Sequence, residues 1–158
     1  MFKVLKVLHV VGMAMFLGSI LAHIAAGKVP HAVDDPAMLF ARQAIVLATR
    51  YVTLPGLTLG VGSGILMLLR SPSLIKRRWV ALHVAGAAAL VGVTMLVMVP
   101  IGKELLDAAT ALVAGTLSLD VFAGLLRREH AFGAFNIVLL FVVIVLGVVK
   151  PRLKQAEL

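Results

Sequence analysis

The sequence predicts an all-α fold, a four-helix transmembrane bundle with its N- and C-termini cytoplasmic, and three observations carry that prediction. Of the 158 residues, 61% are hydrophobic and 14% are charged, where a soluble domain is about half apolar and about a quarter charged. Mean hydropathy is +1.09. Four apolar segments, 4–26, 44–69, 79–100 and 131–149, meet or approach the roughly 20 residues needed to cross a hydrocarbon core. Charge is also divided by side. With four spans, the side holding both termini and the 70–78 loop carries nine Lys and Arg residues against Glu157, whereas the other side carries six against six acids. That is the positive-inside pattern of a bacterial inner-membrane protein. A single membrane domain is expected over residues 1–158.

The elements follow in order. "FKVLK" resembles the basic start of a signal peptide, but the apolar run behind it exceeds the 7–15 residues of an h-region, so an uncleaved first helix is expected. Residues 27–43, "GKVPHAVDDPAMLFARQ", hold two prolines and an Asp-Asp pair. They predict a loop, although "PAMLFARQ" is able to start a helix. The short "RSPSLIKRR" makes the second and third spans antiparallel neighbours. The longer connection 101–130 predicts an amphipathic helix near "KELLDAATALVAG", then an N-cap at Ser118 before a helix that enters the fourth span.

Composition excludes several functions. The chain has no cysteine, so disulfides, thiolate metal sites and cysteine nucleophiles are absent. The net charge of +8 forms a rim suited to anionic lipid, which explains it without nucleic acid. No acid–base pair, nucleophile or phosphate loop is apparent, so an enzyme here would be a membrane oxidoreductase. Ser63, Thr94 and Asn136 within spans read as hydrogen bonds between helices.

The second span places Gly56, Gly60 and Gly64 on one face, with Gly62 beside them. In lipid such a stripe lets another helix approach closely, within the chain or in a homo-oligomer, or gives room to a flat cofactor. The first and third spans repeat at an offset of 74: Leu8 with Leu82, His9 with His83, Gly12 with Gly86 and Gly18 with Gly92. The similarity fades in the second and fourth spans, so the repeat of a helical hairpin is partial.

The repeat sets His9 and His83 at one depth inside the cytoplasmic interface. Ionisable residues within spans usually face a partner, a cavity or a cofactor, and two imidazoles on facing helices suit the two axial positions of a haem iron. Gly12 and Gly86, three residues further on, share the histidine face and would admit a porphyrin edge. The reading is one haem b on His9 and His83; another metal or a proton-handling role, and plain hydrogen bonding between helices, are the alternatives. His23 lies about 21 Å further along the first helix and about 40° off that face, the spacing of paired histidines in dihaem membrane cytochromes b. Its repeat equivalent is Val97, so a second haem would need His130, or less well Met98, as partner. His31, beside Pro30, reads as a solvated loop residue. Arg50, level with His23, would pair with a propionate or an anionic substrate, or snorkel to lipid headgroups. Lys6, Arg77 and Arg78 stand where the propionates of an inner haem would be.

"LKVLHVVGMAMFLGSILAH", "RYVTLPGLTLGVGSGILML", "MLVMVPIGKEL" and "GVVKP" resemble a bacterial family of four-helix integral membrane proteins grouped as a domain of unknown function. More distantly they are similar to the copper-resistance CopD proteins and to the haem-binding protoporphyrinogen oxidase HemJ. The resemblance covers nearly the whole chain and implies that His9 is a haem or metal ligand. The later-helix basic residue of HemJ-like chains has no assigned match, so porphyrinogen oxidation is not carried over. Met95 and Met98 are a thin basis for copper, since methionine also packs cores.

The function these readings favour is a b-type haem membrane protein that transfers electrons, with a quinol or similar lipid-soluble donor. The alternatives are a CopD-like copper or metal transporter, a haem-dependent oxidase acting on a porphyrin, and a structural membrane subunit.

Overall fold

The computed structural model describes residues 2–28 and 36–151, and the expected loop residues 29–35, including His31, lie outside them. Four helical rods are built from six α-helices, and no strand occurs among the described residues. The first rod is α1 (Phe2–Ala26). The second joins α2 (Pro36–Ala48) to α3 (Leu54–Arg70) through one π-helical turn, Thr49–Thr53. The third joins α4 (Arg78–Val93) to α5 (Val99–Val113) through a second, Thr94–Met98. The fourth is α6 (Leu119–Val149). All four are long and apolar enough to cross a membrane.

Both π-helical turns have a local cause. Pro55 and Pro100 each lack the N–H that an α-helix would give to the carbonyl four residues back, and their rings crowd that carbonyl. Widening the preceding turn absorbs both problems, and the rod continues. α2 begins at Pro36, where the 27–43 segment is able to start a helix, and the amphipathic helix expected near 103–115 is present as the body of α5 and continues the third rod to Val113. Gly115, at φ +71°, then ends it, with the Thr116 N–H on the Ala111 carbonyl at 2.9 Å. Ser118 precedes α6 in an extended conformation as expected, but its side chain makes no capping hydrogen bond. At the other end Pro151 stops α6, and Lys150 turns left-handed and lies over the Trp79 ring.

The rods pair as two hairpins. In the first, α1 lies against α3 with backbones in contact: a methyl group on Gly12 would collide with the Gly60 nitrogen, and one on Gly56 would come within 2.8 Å of the Met15 Cβ. The glycine stripe considered for a homo-oligomer or a flat cofactor is therefore covered by α1 of the same chain. In the second hairpin α4 packs on α6, where a methyl on Gly86 would meet a Val143 methyl at 2.8 Å.

Between the hairpins lies a core of Phe16, Leu57, Leu90 and Leu140, all nearly inaccessible. Phe16 and Leu90 are 74 positions apart, and Leu57 and Leu140 are 83 apart. The repeat therefore extends to α3 and α6 at a second offset, nine residues longer, which hides it from a single-offset alignment. A second core of Met38, Ile101, Leu105, Ala108, Ala109 and Phe122 joins α2, α5 and the start of α6. At 31 residues, α6 is about 46 Å long, against about 30 Å of hydrocarbon. The second core fills the overhang at the end away from the α3–α4 link.

Gly62 has no neighbour within 4 Å of an added Cβ. Gly62→Ala is expected to raise stability by up to about 1 kcal/mol through helix propensity alone, read as a higher thermal midpoint in detergent; a fall would show that the open face is needed.

Candidate functional site

His9 stands two turns into α1 and His83 about one turn into α4, each beside the partner helix of its own hairpin. The His9 Nδ1 is 2.7 Å from the Gly60 carbonyl oxygen, and the His83 Nδ1 is 2.9 Å from that of Val143. A carbonyl oxygen only accepts, so in each ring Nδ1 carries a proton, and in the neutral form Nε2 keeps its lone pair. One turn beyond each carbonyl a glycine makes room for the ring: a Cβ on Gly64 would be 3.4 Å from His9 Cε1, and one on Gly147 would be 3.2 Å from His83 Cε1. The two half-sites thus have one design, a histidine donating to a carbonyl whose helix carries a glycine four residues later.

The ring centroids are 6.3 Å apart, with planes inclined at 53°. Two imidazoles sharing one metal ion from opposite sides, each by a bond of about 2 Å, have centroids about 6 Å apart once the ring half-widths are added. A histidine ligand whose other nitrogen donates to a carbonyl is held in tautomer and orientation for metal binding. Among the described residues no group of three or more His, Cys, Asp or Glu side chains gathers anywhere. The pair therefore offers two nitrogen donors and nothing else. Lys6, three residues before His9, lies over the Phe2 ring, and Arg77 and Arg78 are exposed at the start of α4. The end of the bundle that holds the pair is thus basic.

The remaining candidates are placed differently. Gly12 and Gly86 face α3 and α6, so the space expected for a porphyrin edge at these two residues is taken by helix packing. His23 is half-buried with Nε2 3.4 Å from the Ser19 hydroxyl, which meets the Thr53 hydroxyl at 2.5 Å. His130 is exposed on α6, and among the described residues no hydrogen bond or ring contact joins it to His23. Met98 sits against Gly133 of α6, 3.7 Å from where its Cβ would be. Arg50 is exposed, beside the Tyr51 ring at 5.7 Å. The structure brings His9 and His83 together; His23, His130, Met98 and Arg50 do not form a second such pair. Of the polar residues within spans, Asn136 Nδ2 reaches the Thr94 hydroxyl at 3.5 Å, while Ser63 bonds back to carbonyls of its own helix.

Sequence reasoning missed a buried ion pair. Arg42 Nη1 lies 2.7 Å from Glu129 Oε2, with 9% and 17% of the side chains exposed. The signal was available: Met38, Arg42 and Ile45 share one face of α2, as do Phe122, Leu126 and Glu129 on α6, at the spacing of an apolar stripe. Counting both residues as charges of the external loops concealed it.

Residues 3–151 match the family described as predicted integral membrane protein (DUF2269). The chain belongs to this family. No curated protein and no solved structure matches it, so the more distant resemblance to CopD and HemJ gains no support from these comparisons. The DUF2269 chain is a multi-pass membrane protein, and its lipid-facing surface accords with that: Leu21, Leu69, Leu96 and Val138 are among its many exposed large apolar side chains.

Proposed function

We propose that this DUF2269 protein is a b-type haem protein of the bacterial inner membrane that transfers electrons, with His9 and His83 as axial ligands of one haem. One observation carries the reading: two imidazoles on separate hairpins, each with Nδ1 engaged by a carbonyl and Nε2 left to bind, at a separation suited to a shared metal. A bare transition-metal ion in a structural or transport site usually takes three or four protein donors. A haem iron takes four from its macrocycle and needs only two from the protein. The donor set therefore favours haem over a free ion. When bound, the haem supplies one-electron redox chemistry. The chain supplies the two nitrogens, the carbonyls that orient them and, in Lys6, Arg77 and Arg78, cations at the same end to meet propionates. The charge division favours cytoplasmic termini, which places the pair toward the cytoplasmic leaflet. A lipid-soluble quinol is the donor this setting suggests.

The test is the absorption spectrum of protein purified in detergent from haem-replete cells, oxidised and then reduced with dithionite. A sharp reduced b-type spectrum with one haem per chain is expected, lost in His9→Ala and in His83→Ala. Gly147→Ala, which crowds the His83 ring while keeping both ligands, is expected to weaken haem retention. A colourless wild-type protein, or a spectrum indifferent to both histidine substitutions, would sink the proposal. Bound copper without haem would favour the transport alternative.

A further inference from the structure

At the opposite end of the bundle a cavity of about 200 Å³ lies between the end of α1, α2, α5 and the start of α6. Its wall is apolar, with Ala26, Ala41, Leu112, Phe122 and Ala123 among its residues, and its polar side chain among the described residues is Arg42. Arg42 is 7% exposed and is held by Glu129 through Nη1. We propose that this cavity binds the head of a neutral, lipid-soluble carbonyl compound of the quinone class, with the Arg42 guanidinium donating to a ring carbonyl.

Three features select that chemistry. The first is size: a cavity of about 150 Å³ accommodates a benzene ring, so this one holds a single substituted ring. The second is charge. Glu129 already neutralises Arg42, and a carboxylate ligand would add an uncompensated negative charge to an apolar site at large cost. A neutral carbonyl avoids that cost, and a guanidinium has five N–H groups in a fixed fork, so one side chain can hold a carboxylate and donate to a second oxygen. The third is position. Ala26 and Gly27 line the cavity at the outer end of the first span, at the level of the bilayer surface, where a compound with an apolar tail and a polar head resides. His23 lies one turn inward from Ala26 and Gly27 on the same face of α1. An ion pair alone would clamp α2 to α6; the adjoining cavity is what a clamp does not need.

The site is independent of the haem proposal, and either can fail alone. The experiment measures binding of a decyl-benzoquinone to the detergent-purified full chain against empty micelles, with decanoate as the anionic counterpart. Saturable quinone binding is expected, with decanoate at least tenfold weaker. Ala123→Phe, which fills the cavity and leaves the ion pair, should weaken quinone binding at least tenfold. Arg42→Met/Glu129→Leu, which removes the donor without leaving a lone charge, should do the same and serves if Ala123→Phe does not fold. Gly62→Leu, on the far face of α3, should bind as wild type does, and His9→Ala is measured beside it to test the inner pair. The proposal is overturned by the absence of saturable binding, by equal binding of decanoate, or by binding indifferent to both cavity variants. A loss confined to His9→Ala would place the quinone at the inner pair and overturn it equally.

Discussion

Arg42→Met is expected to destabilise the protein by about 3–5 kcal/mol, the cost of leaving one member of a buried ion pair without its partner. The stranded group is Glu129, whose side chain is 17% exposed and which lies 2.7 Å from the guanidinium. Water cannot fully take over there, because Met38, Phe122 and the rest of the second core enclose the contact between α2 and α6. Arg42→Met/Glu129→Leu should recover most of the loss, since a well-packed apolar pair often replaces a buried ion pair without penalty. Unfolding in a detergent mixture checks both variants. A single-variant cost below about 1 kcal/mol would mean that the pair behaves as an exposed salt bridge, and that α2 is held by its apolar contacts alone.

The second large effect is expected at Gly12. Overpacking a core typically costs about 1–3 kcal/mol, and occasionally more. Gly12→Ala belongs at the upper end or beyond, because the atoms its methyl group would strike are the Gly60 backbone and the Gly56 carbonyl oxygen. Side chains can rotate away from such a contact; helix backbones have to move apart. Separating α1 from α3 would also draw His9 off the Gly60 carbonyl. If the proposed haem is held by His9 and His83, the variant should lose it along with stability, although it touches neither histidine. Gly18→Ala, with open space at the same helix's other face, is the control: as at Gly62, it should raise stability by up to about 1 kcal/mol through helix propensity and leave haem retention unchanged. If Gly12→Ala and Gly18→Ala unfold at the same midpoint, the close approach of α1 and α3 does not set the stability of the first hairpin.

The sequence made the four rods legible because apolar length is a signal carried by nearly every residue of a span. It also paired His9 with His83, because the local frames "VLHVVG" and "ALHVAG" preserve the repeat around the two histidines. Besides the Arg42–Glu129 pair, three things escaped it, each for a physical reason. That the third span runs on through Pro100 into the amphipathic helix was not legible, because the continuous rod is sustained by packing, Leu105 and Ala109 of α5 being fully buried against α2 and α6. The role of Gly147 depends on which helix faces His83, and that follows from the second repeat offset. Gly12 carried an ambiguous signal, because a glycine that admits a cofactor and one that admits a helix look alike until the neighbouring helix is placed.

Each imidazole is fastened to its own hairpin, His9 to α3 and His83 to α6, and no hydrogen bond joins one ring to the other among the described residues. The gap between the rings is consequently a gauge of how far apart the hairpins stand. A ligand gripped by both nitrogens would act as a strut, and anything that spreads or squeezes the bundle, such as a change in bilayer thickness, would be transmitted to its bonds. Because the chain has no cysteine of its own, a pair of introduced cysteines carrying spin labels, one on each hairpin, would read that spacing directly in membranes of graded thickness.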